Sequence, residues 1–202
     1  MKFEHLSAEA KRVARQAWID DQGGGYPYYD WWVFDDFVEC GKRLGIHIET
    51  RQAGRQKCPA IWFSGFWSQG DGASYDALYS CEPKAVELIT EHAPNETLLD
   101  FAQRLTALQA QRVLANREPV KCTIRQKGTY SHSGTMQIDY TLSDEDGLDA
   151  ETEQEFTEIF RSFADWMYRD LEAQYNSYFE DSYIDEQIHE EGISFARDGS
   201  II

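Results

Sequence analysis

Three features predict an α+β fold. Two stretches of alternating apolar residues read as hairpins, and helical-period stripes lie before and after them. A run without Gly or Pro then extends from Ala150 to about Glu190, with aromatic residues recurring every three or four positions. The expected architecture is a mainly antiparallel sheet of about five strands packed by helices, with a long acidic amphipathic helix towards the C-terminal end. Residues 1–143 form the core domain in this reading. Residues 144–202 pack on it as an acidic helical segment, not as an independent domain.

In order along the chain, SAEAKRVARQAWI (7–19) reads as a helix capped by Ser7, with Val13, Ala14, Ala17 and Trp18 on one side. DDQGGGYPYYD (20–30) reads as a loop, and Asp30 as the cap of a second helix. That helix carries an apolar stripe of Phe34, Phe37, Val38 and Leu44, has Lys42 and Arg43 in its last turn, and stops at Gly45. IHIETR (46–51) alternates as a strand does and leads into the basic, glycine-containing turn QAGRQK.

IWFSGFWSQGDGASYDALYS (61–80) predicts a hairpin with its loop at 68–72. Its first arm is apolar on both faces, as in a central strand covered on both sides. Folding about residue 70 would set Pro59 opposite Cys81 and bring Cys58 and Cys81 together at the open end, as two reduced thiols. Pro83 opens a helix running to about His92. Another helix follows from Asn95, with Leu98, Phe101, Ala102, Leu105, Leu108 and Arg112 on its stripe. Residues 120–142 alternate as a second hairpin: Val120, Cys122 and Ile124 face Met136, Ile138, Tyr140 and Leu142. SDEDGLD is the linker, and Phe156, Phe160, Phe163, Met167, Leu171, Tyr175, Tyr178 and Phe179 stripe the long helix or pair of helices. ISFARDGSII (193–202) can add a short strand.

Charge narrows the function classes. The 202 residues carry a net charge of −17, and residues 144–191 hold 17 Asp and Glu against Arg161 and Arg169 alone. Direct binding of nucleic acid or anionic lipid through that segment is opposed electrostatically, whereas a protein with a basic surface suits it. No apolar run reaches the ~20 residues of a membrane helix, and the charged N-terminus has no secretory h-region. Cys40, Cys58, Cys81 and Cys122 form no C-x-x-C pair. A cytoplasmic setting is the expectation.

Two candidate sites emerge. At the first hairpin tip Ser64, Ser68, Gln69, Asp71 and Ser74 surround glycines that permit close backbone approach, which suits a ligand pocket or one carboxylate of a Mg²⁺ site. His132, in the second tip, could meet the first and supply a base to Ser or a partner to Asp. The bland reading is that glycine and aspartate are there as turn formers. His5, His47, His92 and His189 show no metal-ligand spacing, so no metal or cofactor is expected. The second candidate is the acidic face of the long helix: Glu151, Glu155, Glu158, Asp165, Glu172, Glu180 and Asp181. Carboxylates along a rod can imitate nucleic-acid phosphates toward a basic groove, and a solvated outer face is the plainer account.

The segment IWFSGFWSQGDGASYD resembles a family of small proteins encoded by phages, prophages and plasmids, which carry I-x-F-S-G-F-x-S-Q-G-D-G-A-S-F after an upstream D-W-x-x-x-F-D-x-F…L-G-I. Asp30, Trp31, Phe34, Asp36, Phe37 and Leu44-Gly45-Ile46 match the upstream part, and Tyr75 stands where the family has Phe. The resemblance spans roughly residues 7–80. It implies a mobile-element accessory protein acting on a host protein, with antitoxin among the roles inferred for such proteins and no catalytic activity attached. The expected function is thus a non-enzymatic inhibitor of a host defence or nucleic-acid-directed complex, of anti-CRISPR or anti-restriction type. The alternatives are an antitoxin that neutralises a partner toxin, and a small hydrolase or ligand-binding domain centred on residues 64–74.

Overall fold

The computed structural model describes residues 1–21, 31–142 and 147–202. Its helices are α1 (Ala8–Asp21), α2 (Trp31–Arg43), α3 (Ala85–His92), α4 (Glu96–Leu114), α5 (Ala150–Ser177) and α6 (Asp181–Glu191). Its strands are β1 (Ile46–Ile48), β2 (Thr50–Ala53), β3 (Gln56–Pro59), β4 (Ile61–Phe63), β5 (Ala73–Tyr75), β6 (Ala77–Ser80), β7 (Lys121–Gln126) and β8 (Met136–Thr141). The fold is α+β with antiparallel pairing throughout. The chain divides into two compact units, residues 30–169 and a smaller one made of 1–29 and 170–202. Asp20 and Asp21, expected in the loop over 20–30, belong to α1; the rest of that loop with the Asp30 cap, and residues 143–146 of the linker, lie outside the described residues.

In the larger unit the strands form a four-stranded sheet in the order β1-β6-β7-β8 and two separate ribbons, β2-β3 and β4-β5. The expected 61–80 hairpin is therefore only partly realised. Ile61 pairs with Tyr75 and Phe63 with Ala73, but the second arm changes partners at Asp76, after which Ala77 pairs with Ile48 and Ile124. Asp76 anchors the change. Its N–H donates to Ala60 O, its carbonyl accepts from Glu49 N, and its carboxylate accepts from Gln126 N at 2.7 Å. Alternation survives the change, because Ala73, Tyr75, Ala77 and Tyr79 are all buried.

β4 is accordingly not a central strand. It pairs with β5 alone among the described residues, and Trp62 and Phe63 are only half-buried. The expected approach of Cys58 to Cys81 is corrected for the same reason. Pro59 faces Thr50, Cys58 faces Arg51, and Cys81 follows β6, whose last residue faces Lys121. All four cysteines are free thiols.

α4 and α5 pack against the sheet. Of the α4 stripe, all six expected residues are buried, and Asn95 caps the helix by accepting from Thr97 N and Leu98 N. Gln109 is drawn into the core, where its amide donates to Tyr79 Oη and Val120 O and accepts from Val120 N. Phe156, Phe160 and Phe163 of α5 are wholly buried, each contributing roughly 1.5–3 kcal/mol by removal from water. Phe160 lies 4.9 Å from the Tyr79 ring, and Phe163 meets Tyr75 edge-on at 5.6 Å. Tyr75 Oη donates to Phe160 O at 3.0 Å, which satisfies a phenol whose burial holds its pKa well above the ordinary value.

The smaller unit packs α1 against α6. Phe3, Leu6, Ala10, Ala14, Ile184, Ile188 and Phe195 form its core. Ser7 caps α1 as expected, accepting from Ala10 N. Val13, expected on the buried side, is exposed, and Ala10 takes its place. The long acidic helix resolves into two, since α5 ends at Ser177 and α6 begins at Asp181. Phe179, expected on the stripe, falls in this break and is exposed. The C-terminal segment contributes one bridge, Phe195 to Ile201.

Gly45 links α2 to β1 with φ +82°, and a Cβ there would stand 2.1 Å from Ser80 O. Gly45→Ala is expected to destabilise the protein by more than about 2 kcal/mol, combining left-handed strain with that clash; denaturant melts measure it. For the thiols, Cys58 and Cys122 are 2% and 3% exposed, and burial pushes the Cys122 thiol up. Native protein should therefore react with thiol reagent at Cys40 and, more slowly, Cys81, whose pKa is raised first by burial and then by the Glu82 charge. Modification of Cys58 or Cys122 before unfolding would contradict the packing.

Candidate functional site

The first tip is built by backbone closure. Ser64 N donates to Gly72 O, and Ser64 Oγ accepts from Gly72 N at 3.0 Å. Within the loop Asp71 N donates to Ser68 O, and the Asp71 carboxylate accepts from Ser68 N at 2.7 Å. Ser64 and Asp71 are therefore committed to holding the turn. Gln69 is exposed on the loop. Ser74 does not face the tip solvent: it is wholly buried, and its Oγ has no hydrogen-bond partner in the structure.

Trp67 lies beyond β4, which ends at Phe63. It is 67% exposed and sits at φ +72°, a left-handed conformation that costs a bulky residue about 1–2 kcal/mol. The phenol of Tyr168 on α5 donates to Gly65 O at 3.1 Å, and its ring lies 5.4 Å from Phe66. The loop is thus fixed to the helix while Trp67 is turned outward.

The two hairpin tips do meet. A Cβ on Gly72 would lie 3.2 Å from His132 Cα, from its Cδ2 and from Ser131 O, so glycine is what allows the approach. His132, however, uses Nδ1 to accept from Gly134 N at 2.8 Å, capping a short 3₁₀ turn over Ser133–Thr135. That bond leaves its neutral form carrying the proton on Nε2. Among the described residues no hydrogen bond joins His132 to Ser64, Ser68, Asp71 or Ser74. No group of three or more His, Cys, Asp or Glu is placed to hold a metal ion among them either.

The acidic helices give the larger surface. Glu151, Glu155, Glu158, Asp165 and Glu172 recur at steps of four, three, seven and seven, which sets them in one row on α5, with Arg161 and Arg169 in the two wider gaps. The row is opposite Phe156, Phe160, Phe163 and Met167, all buried. Two of the seven expected acids are compensated. Glu158 lies 3.9 Å from Arg104, and Asp181 pairs with Arg15, whose Nε also reaches Asp185 at 2.6 Å. Of the twelve Asp and Glu on α5 and α6, these three alone have an arginine or lysine within ion-pair distance among the described residues. Glu180 stands at the N-cap of α6 without a side-chain cap bond.

The chain belongs to a family defined by a domain of unknown function, DUF8835, which matches residues 29–181. That span takes in the hairpin tips and the whole of α5. Comparison with curated proteins and with solved structures finds no match.

Asp149 caps α5 by accepting from Thr152 N at 2.9 Å and from Thr152 Oγ1 at 2.8 Å. The Thr152 N–H, then its hydroxyl, hold the Asp149 carboxyl below the usual range. A lowered folded-state pKa stabilises above the unfolded pKa, and this contribution is lost as pH falls through the folded value. Asp149→Ala should lower the melting temperature at neutral pH. The gap from the parent should close as the solution is acidified; a gap constant with pH would show that the cap does not act through the carboxylate.

Proposed function

We propose that this protein is a non-enzymatic interaction protein that docks onto a basic surface of a partner protein through the acidic row of α5. The observation that carries this reading is the surplus of carboxylates on α5 and α6, nine of twelve lacking a lysine or arginine partner among the described residues. Like charges so arranged repel one another by tenths of a kcal/mol per pair, and a basic partner removes that repulsion on binding.

Charge density sets the kind of partner. Glu151 to Glu172 spans about 32 Å of helix with five carboxylates and two arginines, whereas a duplex places about nineteen negative charges over that length. The row therefore suits a discrete patch of Lys and Arg on a protein better than a groove that envelops a duplex. The resemblance of the 61–76 motif to proteins of phages and plasmids supports a mobile-element setting. In that setting the partner is a host protein of a defence or other nucleic-acid-directed complex, encountered in the bacterial cytoplasm. The hairpin tip, with Trp67 outward, offers an aromatic anchor of the sort that dominates protein interfaces.

Neutralising the row (Glu151→Gln, Glu155→Gln, Glu158→Gln, Asp165→Asn and Glu172→Gln together) tests the reading. The parent should capture a defined host protein at low salt and release it at high salt. The neutralised variant, with an unchanged circular dichroism spectrum, should lose that partner. Equal capture of the same partner by both forms would overturn the charge-based reading.

A further inference from the structure

Two helices of unequal length lie side by side in the larger unit. α3 has 8 residues and α4 has 19, joined by residues 93–95 alone, so they form a hairpin with arms of about 12 Å and 28 Å. α4 therefore continues past the start of α3 by roughly half its length. On this overhang Thr106, Ala110, Val113 and Leu114 fall at i, i+4, i+7 and i+8, an uncharged stripe next to the one that faces the core. Val113 is 57% exposed and Leu114 is 87% exposed.

The overhang is one wall of a cavity of about 460 Å³. Leu44 just after α2, the Cys81–Pro83 stretch between β6 and α3, and Pro119 ahead of β7 supply the others, and the buried Tyr79 and Gln109 also line it. Its neutral polar groups are committed or sealed. Gln109 uses its amide on Tyr79 Oη and on the Val120 backbone, and Thr106 Oγ1 is shut off from solvent. Among the described residues Glu82 is the one charged side chain in the lining, and its carboxylate accepts from Lys84 N at 3.0 Å.

We infer that this cavity binds a neutral, largely apolar small molecule, with the bulk of two or three rings or of a comparable chain. Its volume falls towards the lower end of the range for small-molecule sites, about 300–1,000 Å³. The lining sets the chemistry. A peptide segment would carry backbone N–H and C=O groups into a space that offers them almost no partners, and each one left unpaired there weakens binding. A fatty acid or other anionic amphiphile would bring its charge beside Glu82, on a chain of net charge −17. A second copy of the chain would bring that same net charge. An uncharged ring system meets neither obstacle and covers the exposed side chains of Val113 and Leu114. The cavity shares no residue with the acidic row of α5, so the site stands independently of the partner-docking role.

Fluorescence titration of the full chain with N-phenyl-1-naphthylamine, an uncharged fluorophore of this bulk, tests the site. Its comparison is 8-anilino-1-naphthalenesulfonate, which adds a sulfonate to the same framework. Saturable one-to-one binding of the neutral probe is expected, about tenfold or more tighter than that of the sulfonate. Ala110→Trp, at an exposed position, fills the space and should abolish the binding. Leu114→Glu replaces an apolar wall by a carboxylate and should weaken it about tenfold. Saturating probe should also slow the reaction of Cys81 with a thiol reagent about fivefold or more, and leave Cys40, which is outside the lining, unchanged. That measurement uses the parent chain, so it decides the matter even where a variant fails to fold. Absence of saturable binding, binding that survives in folded Ala110→Trp, equal binding of the sulfonate, or an unprotected Cys81 would overturn the inference. So would protection of Cys81 by an apolar helical peptide and not by the probe, or self-association of the chain that Leu114→Glu removes. Near-ultraviolet circular dichroism and melting curves verify that each variant is folded.

Discussion

The hydroxyl of Tyr75 and the carbonyl of Phe160 meet in the interior of the larger unit, with Phe163 edge-on to the same phenol ring. Through that contact the short β4–β5 ribbon, whose strands pair only with each other among the described residues, is tied to α5. An isolated two-stranded ribbon is marginal in water, so its stability has to come from what it packs on. The neighbouring contacts repeat the arrangement: Tyr79 of β6 against Phe160, and Phe66 of the tip against Tyr168. The aromatic face of α5 is the common surface for the ribbon, the sheet and the tip.

The same helix explains how so acidic a chain stays folded. Repulsion between exposed carboxylates one turn apart amounts to tenths of a kcal/mol per pair, whereas each buried Phe on the opposite face is worth severalfold more. The outer face is therefore almost free of structural demands. It bears Glu151, Glu155, Glu158, Asp165 and Glu172, with Arg161 and Arg169 in the gaps between them.

The sequence reveals elements better than partners. The α4 stripe was legible to the residue, because a helix of period 3.6 with one buried face leaves a pattern that chain-local reasoning can read. The alternation of Ala73, Tyr75, Ala77 and Tyr79 was legible too, but the change of partner at Asp76 was not. A residue facing the core looks the same whichever strand it pairs with, and the hydrogen bonds that turn the chain there are made by Ala60, Glu49 and Gln126. The proximity of Cys58 and Cys81 followed from an assumed register and failed with it. At the candidate sites, the sequence left the meeting of the two tips open, on the condition that the hairpins are neighbours pointing the same way. The left-handed backbone of Trp67 was not legible, since nothing in W-S-Q-G announces it.

The smaller unit draws its core from the two ends of the described chain: Phe3, Leu6, Ala10 and Ala14 early, Ile184, Ile188 and Phe195 late. During translation, then, α1 leaves the ribosome long before α6 exists. At about 5–20 residues per second, the intervening stretch occupies roughly ten to thirty seconds. For that interval Phe3 and Leu6 have no counterpart to cover them, and α1 is a helix of marginal length on its own. The larger unit can form in the meantime, whereas the smaller one closes only after its last helix is released. The order of assembly is written into the connectivity, and α1 is the segment that waits exposed to chaperones and proteases.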